Sequence, residues 1–279
     1  MKIAVTGAGG YLSRGVVSTL IERGHVVVAC GYGLDAVDER AHKVECDLFS
    51  LEDPYDKFGR PDVLLHMAWR DGFSHYSDAH INDLPKHFDF IRKMAEGGVK
   101  KVAAIGSMHE IGFFEGSINE TTACRPVTPY GISKNALRAL VECLAKKQGF
   151  GFQWLRGYYI VGNELNGASI FSKIAAAASQ GKKTFPFTLG QNQYDFIDYP
   201  DFCVKVVETV EQDEVMGIIN ICSGRPEKLA SRVERFIKEN NYDISLEYGA
   251  FPDRPYDSKA VWGDSSKIDV IERLAAAEA

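Results

Sequence analysis

Short apolar runs alternate with amphipathic segments along the first 157 residues of the chain. Residues 2–5 and 25–30 form two such runs, and the second, rich in valine, is typical of a strand in a parallel sheet covered on both faces. Between them, residues 10–23 show a helical pattern that ends at Gly24. The same patterns predict further strands at 43–46, 62–67, 99–105 and 152–156, and further helices at 84–95 and 129–147.

This alternation predicts an α/β fold with a Rossmann-like doubly wound parallel sheet. Beyond residue 157 the alternation breaks down. There we expect helices at 169–180 and 230–239, a strand at 217–222, and aromatic-rich loops at 185–202 and 251–264. We therefore predict a first domain at 1–157, with a returning segment around 195–216. A smaller, mixed α/β lobe at 158–194 and 217–279 is expected to cover the carboxyl edge of the sheet.

Composition narrows the choice of partners. The 279 residues carry a formal charge of −6, which argues against nucleic acid or an anionic membrane surface as a partner. The N-terminus does not have the architecture of a signal peptide, and no apolar run approaches the ~20 residues of a membrane span. Six scattered cysteines fit free thiols in a reducing cytoplasm. The seven histidines have no metal-site spacing, so we expect no metal.

A glycine-rich turn joins the first predicted strand to the first predicted helix. Glycines at such a turn let the backbone approach a pyrophosphate, and the helix N-terminus supplies free N–H groups and a favourable dipole. The sequence therefore predicts that the first domain binds a dinucleotide. The candidate residues here are Thr6, Gly7, Gly9, Gly10, Tyr11, Leu12 and Arg14.

Three later segments support the same prediction. Asp47 and Leu48 follow the third strand, where a carboxylate could accept a hydrogen bond from an adenine amino group. Met67 and Ala68 end the fourth strand, where small side chains leave room for a cofactor at the sheet edge. Asn82 lies close to the start of the following helix.

A second group of residues carries candidate chemistry. Tyr130 and Lys134 are four residues apart in a predicted helix and therefore share one face. A lysine ammonium one turn away is expected to stabilise the phenolate and pull the pKa of Tyr130 toward neutrality. Ser107 follows the strand at 99–105, where a hydroxyl can orient a reacting carbonyl.

Together these motifs resemble a known family. Thr-Gly-x-x-Gly, Asp-Leu, His-Met-Ala and Tyr-x-x-x-Lys occur in the order and spacing of the extended short-chain dehydrogenase/reductases, among them nucleotide-sugar epimerases, dehydratases and reductases. The resemblance implies that Tyr130 exchanges a proton with the substrate oxygen, that Ser107 binds that oxygen, and that Lys134 holds the nicotinamide ribose. It also implies a homodimer formed through the helices at 83–95 and 129–147.

Two departures from the family pattern concern the cofactor. Ser13 replaces the usual third glycine of the turn. The acidic residue that would bind the ribose 2′-hydroxyl of NAD is missing from the end of the second strand, where Gly31 stands instead. With Arg14 nearby to accommodate a 2′-phosphate, we expect NADP(H) in preference to NAD(H).

The residues after Ser107 bear on the reaction. The dehydratases of the family carry an Asp-Glu pair there, whereas this chain has Met108 and His109, which disfavours dehydration. His109 could exchange a proton, bind a sugar hydroxyl or be an ordinary loop residue. We expect reduction of a 4-keto-6-deoxysugar nucleotide. An epimerase with tightly held NAD and a non-catalytic dinucleotide-sensing module are the alternatives.

Substrate contacts are predicted from the resemblance alone. Arg254, in Arg254-Pro255, is the candidate for binding the substrate diphosphate, since a guanidinium grips phosphate oxygens in pairs. Tyr194 and Tyr159 stand where the family usually has Arg and Asn, both on the substrate side. With Ser107, Met108 and His109 they complete the predicted substrate site, and the sugar nucleotide is expected to be unusual.

Overall fold

The structure is a computed structural model that describes residues 1–162, 164–165, 167–252 and 258–278. Its strands are β1 (Lys2–Thr6), β2 (Val26–Gly31), β3 (His42–Glu45), β4 (Val63–His66), β5 (Lys101–Ser107), β6 (Gly116–Ile118), β7 (Gly151–Gly157), β8 (Tyr159–Val161), β9 (Thr184–Pro186), β10 (Gln193–Asp198), β11 (Gly217–Ile221), β12 (Pro226–Lys228), β13 (Ser245–Glu247) and β14 (Ala260–Gly263). Its α-helices are α1 (Tyr11–Glu22), α2 (Pro54–Lys57), α3 (Ala79–Gly97), α4 (Pro129–Gln148), α5 (Ile170–Ser179), α6 (Tyr199–Glu211), α7 (Leu229–Glu239) and α8 (Ser266–Glu278).

Seven parallel strands form the central sheet, in the order β11-β7-β5-β4-β1-β2-β3. The chain starts in the interior of the sheet, builds outward to β3, returns beside β1 with β4, and then builds to the other edge. This reversal between β1 and β4 opens a crevice at their carboxyl ends, where doubly wound sheets bind ligands. The predicted Rossmann-like fold is thus confirmed.

Helices cover both faces of this sheet, as its apolar strands require. Side chains of β1 alternate between the two faces. Ile3 and Val5 pack with α1, α6 and α8, whereas Ala4 packs with α3 and α4. Pro129 in the first turn and Gly149 at the C-cap mark the ends of α4, which explains why its limits could be predicted within one residue.

A smaller sheet lies beside the large one. It has the order β12-β10-β14-β6, with β8 also paired to β10, and only the β10–β12 pair is antiparallel. Aromatic residues of β10, α5 and α7 build its separate core. A two-stranded pair, β9 and β13, completes the lobe.

The structure corrects several expectations beyond residue 157. The predicted loops at 185–202 and 251–264 contain β10 and β14, whose strands form because each finds partners far away in the sequence. The predicted strand at 217–222 exists as β11, but it pairs with β7 in the large sheet, and α8 packs on β11 and α6. Conversely β6, within residues 1–157, belongs to the small sheet. None of the helices in the described part of the chain has the length and apolarity that crossing a membrane requires.

Candidate active site

The glycine-rich turn lies against the carboxyl ends of β2 and β4. Gly7 has a φ of 62°, and a Cβ there would come within 2.7 Å of the Cα of Ala68. A Cβ on Gly9 would lie 2.3 Å from the carbonyl oxygen of Tyr32. Gly10 caps α1 without a side chain in the way. Because only glycine fits at positions 7 and 9, the backbone of the turn can come close to a pyrophosphate beside the N-terminus of α1.

Thr6 ties the turn to the end of β4. Its hydroxyl accepts hydrogen bonds from the backbone N–H groups of Met67 and Ala68, at 3.2 and 3.3 Å, and bonds with His66 Nδ1 at 2.9 Å. The other nitrogen of His66 lies 2.9 Å from His87 Nδ1 on α3. The structure therefore brings Thr6, Met67 and Ala68 together at one sheet edge, as expected.

Other predicted cofactor residues are more scattered. The carboxylate of Asp47 accepts from the backbone N–H of Phe49 at 3.1 Å and so caps the turn that contains the buried Leu48. Asn82 is exposed on α3, while the neighbouring His80 and Asp83 are buried.

Arg14, on which the expectation of NADP(H) depends, has a partner in the protein. One nitrogen of its guanidinium lies 2.9 Å from a carboxylate oxygen of Glu164, and both side chains are partly buried. Tyr11 stacks on Tyr199 with ring centres 4.3 Å apart, and Leu12 packs against the sheet. Arg14 is therefore less available to a 2′-phosphate than the sequence indicates.

The three predicted catalytic residues meet where β5 ends and α4 begins. Ser107 is the last residue of β5, and Thr128 caps α4 by accepting from Gly131 N–H, so Tyr130 lies in the first turn. Lys134 follows one turn later, and its ammonium donates to the carbonyl oxygen of Ile105 at 2.7 Å.

Burial dominates the electrostatics of this group. Desolvation raises the pKa of Tyr130 to about 12, although its hydrogen bond with Ser107 acts in the opposite direction. Desolvation also lowers the pKa of Lys134 to about 7. The expectation that Lys134 pulls the pKa of Tyr130 toward neutrality is thus not met, because desolvation raises the pKa of the phenol and lowers that of the ammonium. A phenol that keeps its proton is suited to donate it.

Four rings, which we call the aromatic wall, surround the phenol of Tyr130: Trp69, His75, His80 and His109. His75 stacks on Tyr130 with ring centres 5.0 Å apart and an angle of 8°, while His109 meets His75 edge-on at 4.4 Å. The carbonyl oxygen of His75 also accepts from Tyr130 N–H at 3.1 Å. His109, alone among the histidines, was predicted here.

Trp69 connects the wall to Lys134. The Lys134 ammonium lies 4.0 Å from the centre of its ring, within cation–π distance. The indole N–H of Trp69 donates to His80 Nδ1 at 3.1 Å, and His80 Nε2 lies 3.0 Å from the carbonyl oxygen of Ser74. These two bonds fix the hydrogen of His80 on Nε2. In the described part of the chain, no group of three metal-binding side chains is placed to hold an ion.

A buried ion pair, Glu110 with Arg156, lies on the other side of Ser107. Glu110 Oε1 accepts from the backbone N–H of Ser107 at 2.6 Å, and Arg156 Nη2 lies 3.5 Å from Glu110 Oε2. Both side chains are fully buried. Sequence reasoning missed Glu110, although Ser-x-x-Glu is a recognisable capping pattern.

Several predicted substrate residues lie in the core of the smaller lobe. Met108 is buried in its apolar cluster, which explains why it stands beside Ser107. The rings of Tyr159 and Tyr194 pack against each other with centres 4.5 Å apart, in the same cluster. In this position the two rings pack β8 against β10. Arg254 lies outside the described residues.

Comparison with known proteins adds to this geometry. Residues 3–222 match the model of the NAD dependent epimerase/dehydratase family. A dTDP-6-deoxy-L-talose 4-dehydrogenase (NAD(+)) of Aggregatibacter actinomycetemcomitans is 40% identical over 269 residues, covering 94% of this chain and 99% of that protein. A UDP-glucose 4-epimerase of Streptococcus mutans is 29% identical over 185 residues, covering 60% of this chain and 54% of its own length.

Solved structures share the fold at low identity. A UDP-N-acetylglucosamine 4-epimerase of Methanobrevibacter ruminantium superposes with a TM-score of 0.84 at 19% identity, covering 97% of this chain and 91% of its own. A UDP-glucose 4-epimerase of Thermotoga maritima gives 0.80 at 20% identity over the whole of both chains. Fold, family match and full-length relative agree. The chain therefore belongs to the NAD-dependent epimerase/dehydratase family and is an NAD(P)-dependent enzyme of the extended short-chain dehydrogenase/reductase type.

Proposed function

We propose that this chain catalyses hydride transfer between a nicotinamide dinucleotide and C4 of a dTDP-linked 6-deoxysugar, working as a 4-keto reductase in the reductive direction. One observation carries the proposal. Ser107, Tyr130 and Lys134 converge beside the glycine-rich turn, at the ligand-binding edge of the sheet. The full-length similarity to a dTDP-6-deoxy-L-talose 4-dehydrogenase supports the choice of sugar.

The cofactor is proposed to lie along the glycine-rich turn, with its pyrophosphate at Gly7, Gly9 and Gly10 and its nicotinamide ribose near Lys134. When bound, the nicotinamide gives or takes the hydride. We propose NAD(H) for this site, because Arg14 is paired with Glu164 and the relative is named for NAD(+). NADP(H), which the sequence favours through Gly31 and Arg14, is the alternative tested below.

The protein's own residues handle the proton. In reduction Tyr130 donates its phenolic proton to the C4 oxygen, while Ser107 donates a hydrogen bond to the same oxygen and orients the carbonyl. The raised pKa of Tyr130, caused by burial, keeps the phenol protonated at neutral pH. Lys134 contributes positive charge close by, and desolvation places its pKa at about 7, so this charge is lost as the pH rises above neutrality. The rings of the aromatic wall cover part of the phenol.

We further propose that the enzyme works in the cytoplasm as a homodimer that pairs through α3 and α4. These helices pack against each other and leave apolar side chains on the surface: Ile81 on α3, and Ile132 and Leu140 on α4. A second copy placed there would remove these side chains from water. The mass of the particle in solution distinguishes the dimer from a monomer.

The test is turnover of dTDP-6-deoxy-L-talose by the purified protein, followed as reduced dinucleotide forms from NAD⁺ or NADP⁺. We expect turnover with NAD⁺ to exceed that with NADP⁺. The Tyr130→Phe variant should lose about 10³-fold in kcat, since the ring is kept and only the acid–base hydroxyl is removed.

Two results would overturn the proposal. One is dinucleotide binding without turnover of the talose nucleotide or of its 4-keto form. The other is interconversion of UDP-glucose and UDP-galactose by protein that retains NAD through dialysis, which identifies an epimerase. A higher rate with NADP⁺ would overturn only the choice of cofactor and would favour NADP(H), as Gly31 predicts.

A further inference from the structure

Glu110 is held immediately behind the catalytic serine. Its Oε1 accepts from the backbone N–H of Ser107 at 2.6 Å, and the Ser107 hydroxyl in turn accepts from the backbone N–H of His109 at 3.3 Å. The indole N–H of Trp154 on β7 donates to both oxygens of Glu110, at 2.9 and 3.0 Å. The Glu110 carboxylate thus has three hydrogen-bond contacts, one with β5, which ends at the active site, and two with the neighbouring β7.

Two glycines make room for this arrangement. A Cβ on Gly106 would lie 2.1 Å from Trp154 Nε1 and 2.6 Å from Glu110 Oε1. A Cβ on Gly131, next to Tyr130 in α4, would lie 2.4 Å from the carbonyl oxygen of His109. The turn that carries Glu110 is therefore wedged between β5, β7 and the first turn of α4. Any movement of Glu110 is transmitted to Ser107 and to Tyr130.

Glu110 is also a fully buried charge. Arg156 supplies the opposite charge from β7, with its Nη2 3.5 Å from Glu110 Oε2. Among the described residues, Nε and Nη2 of Arg156 make no hydrogen bond. The guanidinium therefore depends on the carboxylate for compensation, and a charge in such a dry place acts over a long range.

We propose that Glu110 is a positioning residue for the reaction, one that fixes Ser107 at the end of β5 and places a negative charge behind Tyr130 and Lys134. The inference rests on the proposed function, since it concerns the same catalytic group. The charge of Glu110 raises the pKa of Lys134, against the larger effect of desolvation, and so helps to keep the ammonium charged.

Other charged or titratable groups face Glu110 and Lys134, and none of them is substituted in the test. Arg156 faces Glu110 from β7, and the charge of Glu110 also acts on Tyr158 and Cys124. From β4 and α3, His66 and His87 face Lys134, whose charge contributes to their lowered pKa values after burial.

The test compares Glu110→Gln with the unmodified enzyme. Glutamine keeps the size and an acceptor for Ser107 N–H but removes the charge, so the pKa of Lys134 should fall. As the pH is raised, the rate of 4-keto reduction should then begin to decline at a lower pH than in the unmodified enzyme. The ratio of kcat at pH 8 to kcat at pH 6 should drop by about threefold or more. Trp154→Phe is the matched control, because it removes one donor to the carboxylate and leaves the charge in place.

A second readout does not need turnover. In protein labelled with ¹³C at lysine Cε, Lys134 should titrate near neutrality, far from ordinary lysines at a pKa of about 10.4, and its signal is assigned by its loss in Lys134→Met. Glu110→Gln should move this titration to lower pH, and Trp154→Phe should leave it in place. If the unmodified enzyme has no turnover but the titration moves, only the proposed function fails.

The charge role of Glu110 is overturned if Glu110→Gln lowers kcat equally at every pH, or if the Lys134 titration does not move. Glu110 would then act on Ser107 by position alone, which Glu110→Asp tests. Should Glu110→Gln not fold, Glu110→Asp keeps the charge but withdraws it from Ser107. This variant should lose about tenfold in kcat with the Lys134 titration nearly unchanged, and an unaltered kcat overturns the positioning role.

Discussion

The two sides of Ser107 differ in the kind of group they present. The aromatic wall consists of uncharged rings. Desolvation lowers the pKa of His109 to about 4 and that of His75 below its ordinary value, so neither ring is charged at neutral pH. The buried ion pair, in contrast, places full charges where water does not reach. The aromatic wall shapes the site and limits its contact with water, whereas the ion pair sets its electrostatic potential.

This difference has a physical reason. Trp69 and His75 of the wall lie in the loop between β4 and α3, and neutral rings tolerate partial burial without a partner charge. The ion pair is carried by the turn after β5 and by β7, where the packed sheet holds both partners rigidly. Charges far from solvent need such rigidity, because a small shift of either partner leaves the other uncompensated.

The largest loss of activity is expected from replacing Lys134, which contacts the aromatic wall and lies close to the charge of Glu110. The Lys134 ammonium lies over Trp69 and is within the field of Glu110. Lys134→Met keeps the length and removes the charge, so we expect kcat to fall by about 10²–10³-fold. Because burial disfavours the charged form of Lys134, the melting temperature should not fall. Rates and thermal unfolding of the same preparation check both expectations, and a loss below tenfold would show that the charge contributes little.

A smaller effect is expected from the wall. His75→Ala removes the ring that covers one face of Tyr130 and admits water, whereas His75→Phe keeps a ring of similar shape. We expect a loss of about tenfold in kcat for alanine and less than about threefold for phenylalanine. Steady-state kinetics of both variants measure these losses. Equal losses would mean that His75 acts through a ring nitrogen and that the wall is more than a hydrophobic cover.

The sequence predicts the large sheet well because its strands are buried on both faces and appear as continuous apolar runs. It does not predict β10 or β14. β10 carries polar residues such as Gln193 and Asp195, β14 has only four residues, and pairing with distant segments stabilises both as strands. The local pattern carries no information about such partners, which is why it predicts loops in this part of the chain.

In the site, too, some residues can be predicted from local pattern and others cannot. Ser107, Tyr130 and Lys134 could be predicted because a helix and a strand end fix their spacing. His75 could not, since its loop between β4 and α3 has no periodicity, and His80, at the start of α3, lies outside the predicted helix at 84–95. Glu110 is intermediate. Its capping pattern predicts the bond to Ser107, whereas its pairing with Arg156 depends on the order of strands in the sheet.

The last expected effect is on stability in acid, without a change in the reaction itself, and tests whether histidines near the site are uncharged. Burial lowers the pKa of His87 to about 3, from about 6.5 in an unfolded chain. Between these values the unfolded chain binds more protons, so stability is lost as the pH falls below 6.5, by up to about 1.4 kcal/mol per pH unit for one histidine. His87→Gln keeps a partner for His66 and should reduce this slope, as measured by urea unfolding between pH 6.5 and pH 4.5. The exposed His42, replaced by Gln, serves as the control, and equal slopes in both variants would show that His87 is charged in the folded protein.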